Sequence, residues 1–282
     1  MPSVEQRTVV SADGTTISYL EQGEGPALVL LHGAMQSARN FSQLAAALSS
    51  SFRVCVPDRR GRGRSGPFGA AYCLAREAED LDALLKKTGA HFVFGLSAGA
   101  LIALHAARAL PAIEKLAVYE PPLTIDGVDP AAWVPRYERE VDRGDLAAAL
   151  VTILQGTGDV ELLTYLPRLL LVPLLRLALR ADAAQGGVDR IAIRDLIPTV
   201  RSDALLQREA STELATFADL RCEVLLMGGA RSHRALRVGL DALARRMPQA
   251  RLVRLARIGH LAADDVGRPQ EVANELRAFW ST

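Results

Sequence analysis

His91-Phe92-Val93-Phe94-Gly95-Leu96-Ser97-Ala98-Gly99-Ala100-Leu101-Ile102 is the stretch that decides the fold of this chain. An apolar run of strand length, His91 to Phe94, leads into Gly95-Leu96-Ser97-Ala98-Gly99, and an alanine-rich helical pattern follows from Ala100 to Leu110. The G-x-S-x-G spacing between a strand and a helix is that of a nucleophile elbow. A strand that reverses this sharply holds its serine in a strained conformation. A side chain at either flanking position would collide with neighbouring backbone, so Gly95 and Gly99 are needed there. The Ser97 hydroxyl is then expected to stand above the sheet beside the helix N-terminus, where unpaired N–H groups and the positive end of the dipole favour a developing anion.

The same alternation extends outward from the turn. Upstream, Thr8 to Val10 and Thr16 to Leu20 flank Ala12-Asp13-Gly14, a hairpin signal. Ala27 to Leu31 is continuously apolar and ends at His32-Gly33, and Phe52 to Val56 ends at Pro57-Asp58. Helical patterns cover Ala38 to Leu48 and Leu74 to Lys87, the second stopped by Gly89. Downstream, Lys115 to Tyr119 closes at Glu120, Glu223 to Met227 ends in Gly228-Gly229, and Arg251 to Leu255 precedes Gly259-His260. Helices are expected over Ala235 to Met247 and Gln270 to Trp280. Continuous apolar strands are covered on both faces. The expected fold is therefore α/β: a mostly parallel twisted sheet flanked by helices, binding ligands at the carboxyl ends of its strands.

From Thr124 to about Leu205 the alternation stops. Ala131 to Val141, Leu146 to Gln155 and Leu162 to Leu179 read as helices, with Pro173 expected to start or kink one. Because this interval leaves from a strand's carboxyl end, it reads as an inserted helical cap. The expected organisation is core from 1 to 122, cap from 123 to 205, and core again from 206 to 282.

Together these pieces resemble the α/β-hydrolase family, from about Gln6 to the C-terminus apart from the cap. Leu31-His32-Gly33 resembles the family's oxyanion loop. Asp58-Arg59-Arg60-Gly61-Arg62-Gly63-Arg64-Ser65 resembles its D-x-R-G-x-G-x-S segment, Gly95 to Gly99 its elbow, and Gly259-His260 its final catalytic histidine. The ordered set is far more specific than any one motif. The resemblance implies Ser97 as nucleophile, His260 as its base, and the backbone N–H groups of Ala34 and Ala98 as the oxyanion hole. Met35 is a candidate for the pocket lining. Of the other histidines, His91 and His105 read as structural and His233 as a surface or capping residue. The four arginines of the loop read as structural rather than as an anion clamp: Arg60 ties loops together, and Arg62 and Arg64 are expected to be solvated.

In one place the chain departs from the family's pattern. The acid usually follows the strand that here ends at Gly228, but that loop reads Gly229-Ala230-Arg231-Ser232-His233 and holds no carboxylate. Some members carry the acid after the preceding strand, which here is Glu120. Asp126 is the other nearby candidate, and Asp241 lies within a helical pattern.

Composition narrows the function. With 33 basic against 32 acidic side chains, nothing points to nucleic acid or an anionic membrane. The 3 cysteines are too few and too scattered for a disulfide framework; Cys55 and Cys222 read as buried thiols, as in a cytoplasmic protein. No secretory signal is read at the N-terminus, and Leu162 to Leu179 is too interrupted by proline and arginine to span a bilayer. No cofactor is implied, and no metal-ligand spacing is seen. The expected activity is a serine hydrolase acting on a small, uncharged, largely apolar ester. Carbon–carbon, thioester or amide cleavage and perhydrolysis remain open on the same triad, as does a ligand-binding protein with a vestigial site. A serine at position 97 disfavours the aspartate-nucleophile chemistry of dehalogenases and epoxide hydrolases.

Overall fold

Eight strands form one sheet in the order β1-β2-β4-β3-β5-β6-β7-β8. They span Glu5–Val10, Thr16–Gln22, Ala27–Leu31, Arg53–Pro57, Phe92–Leu96, Lys115–Tyr119, Glu223–Gly229 and Arg251–Leu255. The computed structural model describes residues 3–158, 166–185 and 191–281. The β1–β2 hairpin and the β2–β4 pair are antiparallel, and every pairing from β4 to β8 is parallel. All five residues of β3 are buried, as a strand covered on both faces requires.

The alternation of side chains along the strands divides the core in two. On one face Val29, Val93, Leu116 and Leu226 pack against helices α2 (Leu74–Thr88) and α3 (Ala98–Ala107). On the other, Leu30, Phe94, Ala117 and Met227 meet α1 (Ser42–Leu48) and the C-terminal helix Pro269–Trp280. Chain order along a right-handed parallel sheet brings the ends of β3, β5, β6, β7 and β8 to one edge.

Between β6 and β7 the chain builds helices in place of strands: α4 (Val134–Asp142), α5 (Leu146–Thr157), α6 (Arg168–Ala184), the short α7 (Ile193–Leu196) and α8 (Val200–Thr212). They share their own apolar cluster, with Val134, Tyr137, Leu150, Ile153 and Ile197 buried. Pro173 lies inside α6 without ending it. The expected helix over Leu162 to Leu179 is described only from Arg168 onward, since residues 162–165 lie outside the described residues. Helix α8 runs through residue 205 unbroken, so the expected cap boundary falls inside a helix. After β7, α9 spans Arg234–Arg246 and α10 is the C-terminal helix Pro269–Trp280. Among the described residues, no helix is long and apolar enough to cross a membrane.

Two expectations need correcting. Arg62 is not solvated: its side chain is fully buried, and its Nη2 donates to Asp203 of α8 at 2.6 Å. The carboxylate that draws it in lies 141 residues away in sequence, beyond the reach of local pattern. Arg59 is equally buried and pairs with both Glu77 and Asp203, whereas Arg64 is exposed. Arg60 does tie loops together, pairing with Asp80 and Asp13. Cys55 is buried, but Cys222 is only partly so.

Candidate active site

Ser97 sits between β5 and α3 with φ +55° and ψ −118°, a conformation that non-glycine residues rarely adopt. Its own N–H is bonded to Tyr119 O of β6, which holds the turn against the sheet. The flanking glycines are required by contact. A Cβ on Gly95 would lie 2.4 Å from Gly99 O, and one on Gly99 would lie 2.3 Å from Leu31 O. Both are far inside van der Waals distance.

Helix α3 begins at Ala98, so the Ala98 N–H belongs to the first turn, where no intrahelical acceptor exists. Across from it, the loop after β3 runs His32-Gly33-Ala34-Met35-Gln36. Among the described residues no acceptor is found for the N–H of Ala34 or of Ala98. Met35 takes φ +53°. His32 is fully buried: its Nδ1 lies 2.9 Å from Gly33 O, and its Nε2 accepts from Arg59 N at 3.2 Å. Burial above all, then the adjacent Arg59 and Arg62 guanidinium groups, holds its imidazole well below the usual histidine range. It is a neutral strut between two loops.

Glu120 and His260 meet at the same edge. One carboxylate oxygen of Glu120, Oε2, lies 2.9 Å from His260 Nδ1. The other, Oε1, accepts from Gly229 N at 2.7 Å. The Glu120 side chain is fully buried and that of His260 is 10% exposed. Gly228 makes room for this arrangement, because a Cβ there would lie 2.9 Å from Glu120 Oε1. Tyr119 Oη donates to Gly259 O at 2.9 Å and braces the histidine loop. An ionised carboxylate only accepts hydrogen bonds, so the proton of the His260 ring sits on Nδ1 and its lone pair on Nε2.

The other candidates lie elsewhere. Asp126 is exposed in the turn between Ile125 and Val128, and Asp241 pairs with Arg254 on the surface. His91 is exposed, and His105 bonds to Glu213 at 2.8 Å. His233 caps α9 through Nδ1, accepting from Ala235 N, and also reaches the rim of the pocket.

Ser97, Ala98, Ala34, Met35 and His260 all line one cavity of about 270 Å³. Its outer wall is largely apolar and comes from the inserted helices: Trp133, Val134, Ile153, Leu154, Val200 and Ala204. None of the described leucines of α6 reaches it. Leu169, Leu170, Leu174 and Leu177 face solvent, with Leu169 88% exposed. Sequence reasoning also missed the polar floor of the cavity, where Gln36, Asn40 and Asp264 sit. No local motif marks them, because they come together from the two ends of the chain. Among the described residues no cluster could hold a metal ion.

The model of the alpha/beta hydrolase family matches residues 28–275. This chain belongs to the alpha/beta hydrolase family. A solved alpha/beta hydrolase from Sphaerobacter thermophilus is 30% identical to it, covering 97% of this chain and 100% of that one with a TM-score of 0.77. A thioesterase domain from the curacin biosynthetic pathway superposes with a TM-score of 0.66 at 19% identity, over 97% of this chain and 99% of that one, a likeness of fold alone. A 259-residue stretch of the polyketide synthase ThaQ of Burkholderia thailandensis is 29% identical. That match takes in 88% of this alpha/beta hydrolase but only 11% of ThaQ, so the chain spans a small part of that relative's length.

Proposed function

We propose that this chain is a serine hydrolase that cleaves an uncharged, largely apolar carboxylic ester through an acyl-enzyme on Ser97, with residues 123–205 as a cap over the site. The observation that carries the reading is the Glu120–His260 pair beside the strained serine. With Gly229 N–H on one oxygen of Glu120 and the histidine Nδ1–H on the other, the imidazole is held in the tautomer whose basic lone pair is on Nε2.

Ser97 Oγ attacks the carbonyl carbon while its proton passes to His260 Nε2. Glu120 stabilises the imidazolium that forms, and the N–H groups of Ala34 and Ala98 receive the oxyanion. Collapse of the tetrahedral species expels the alcohol, which takes the proton from His260. Water, deprotonated by the same histidine, then attacks the acyl carbon and releases the acid. The apolar wall of Trp133, Val134, Ile153 and Leu154 favours a hydrocarbon group on the substrate.

A fluorophosphonate tests this directly. It should label the protein once, and Ser97→Ala should lose both labelling and turnover; labelling that persists in Ser97→Ala refutes the assignment. A second reading, thioester cleavage, takes up the fold shared with the thioesterase domain from the curacin biosynthetic pathway. Rates on matched butyryl oxyesters and thioesters separate the two.

A further inference from the structure

The polar floor of the cavity joins two loops that the sequence keeps far apart. Gln36 Oε1 accepts from Gly33 N at 2.7 Å, and Gln36 Nε2 donates to Asp264 Oδ2 at 2.5 Å across 228 residues. Asn40 Nδ2 donates to the same Asp264 oxygen at 2.9 Å, and Val266 N donates to the other at 3.0 Å. Both Gln36 and Asp264 are 4% exposed. The loop that Gln36 closes contains Ala34, whose N–H has no acceptor among the described residues, and Met35 at φ +53°. A non-glycine residue keeps such a conformation only where its surroundings impose it. Asp264 lies four residues beyond His260, in a loop whose Asp264 N is bonded to Leu261 O at 3.1 Å.

We propose that Gln36 and Asp264 are positioning residues: together they lock the loop from Gly33 to Gln36 so that the Ala34 N–H meets the oxyanion, and they tie that loop to the one bearing His260. This inference rests on the serine-hydrolase reading. The chemistry is directional. A carboxamide has one accepting and one donating end, and nothing in its shape selects which faces Gly33. The Asp264 carboxylate, which can only accept, draws the Gln36 amino group and so turns the carbonyl oxygen toward Gly33 N–H. An asparagine at 264 cannot do this for both neighbours. Its amino group must oppose either the Gln36 amino group or Val266 N–H, donor against donor.

The test compares wild type, Gln36→Met, Asp264→Asn and the double variant of the full chain on p-nitrophenyl butyrate. Inhibition by a propyl trifluoromethyl ketone is measured in parallel. Ser97 Oγ adds to the carbon of that ketone, passes its proton to His260, and leaves the ketone oxygen as the oxyanion. Each single variant should lose about ten- to a hundredfold in kcat, the scale of a weakened oxyanion donor. KM should stay within about threefold, and ketone affinity should fall by about the same factor as kcat/KM. Because the two residues act as one unit, the double variant should be little worse than the poorer single one. Folded variants with kcat within about threefold of wild type overturn the inference, as do single losses that multiply in the double variant. Failure of both single variants to fold also overturns it, since it makes the contact purely structural. A wild type that neither turns over the ester nor binds the ketone overturns the serine-hydrolase reading itself.

Discussion

Glu120→Gln isolates the charge of the proposed acid while keeping its size, and the structure predicts how it fails. In the native site Gly229 N–H donates to one oxygen and His260 Nδ1–H to the other. Glutamine offers one oxygen and one amino group. If the oxygen stays on Gly229, the amino group faces His260 Nδ1, which must then accept; the ring proton moves to Nε2 and the base is lost. If the amide flips, the amino group opposes Gly229 N–H in a site where the side chain has no exposure at all. A buried donor left unpaired costs about 1–3 kcal/mol. At about 1.4 kcal/mol per factor of ten, the productive tautomer falls to between about a fifth and a hundredth of the molecules. The missing carboxylate also withdraws stabilisation from the imidazolium in the transition state. The two effects together should lower kcat by about two to four orders of magnitude, the scale of a lost triad acid. KM should move far less, because the acid acts mainly in the transition state. The assay is steady-state turnover of p-nitrophenyl butyrate, with thermal unfolding run alongside to establish that the variant is folded. A folded Glu120→Gln protein with kcat within fivefold of wild type would refute the reasoning.

Three further outcomes are expected. Turnover of p-nitrophenyl esters should rise in kcat/KM from acetate to butyrate or hexanoate, each buried methylene contributing about 0.8 kcal/mol, and then fall as the cavity fills; a preference for charged acyl groups contradicts the apolar wall. His32 stays neutral in the folded protein and takes up a proton only when unfolded, so its contribution is fully present above about pH 6.5 and is lost as pH falls below it. Stability should therefore drop by up to about 1.4 kcal/mol per pH unit in that window, and His32→Gln should remove this part of the slope in urea titrations at pH 5 and pH 7. Asp203→Ala strips a carboxylate from two buried arginines, Arg59 and Arg62, and should cost about 3–5 kcal/mol of unfolding free energy; a loss under about 1 kcal/mol means the arginines find another partner.

Local chemistry along the chain determined a great deal. A continuous apolar run gives Ala27–Leu31 with the bounds read from the sequence, because a strand buried on both faces must be apolar throughout; Lys115–Tyr119 and the largely exposed edge strand Arg251–Leu255 also keep the bounds read from the sequence. The elbow is legible for a similar reason: two close backbone approaches demand Gly95 and Gly99, and the demand is written in adjacent residues. Glu120 could be singled out because it ends a strand at the edge where the usual acid loop holds no carboxylate, although only the folded chain brings it to 2.9 Å from the His260 ring. What the sequence left open depends on contacts between distant segments. Whether Arg62 is solvated or buried turns on Asp203, and the orientation of Gln36 turns on Asp264; no periodicity links residues 141 or 228 positions apart. The pocket wall was hidden for another reason. Helix α6 carries leucines on both faces, with Leu171 and Leu179 packed inward and Leu169 and Leu177 outward. Apolar content alone cannot say which face meets a ligand. Only the packing of the inserted helices shows that residues of α4, α5 and α8, and none of the described leucines of α6, line the same cavity as Ser97.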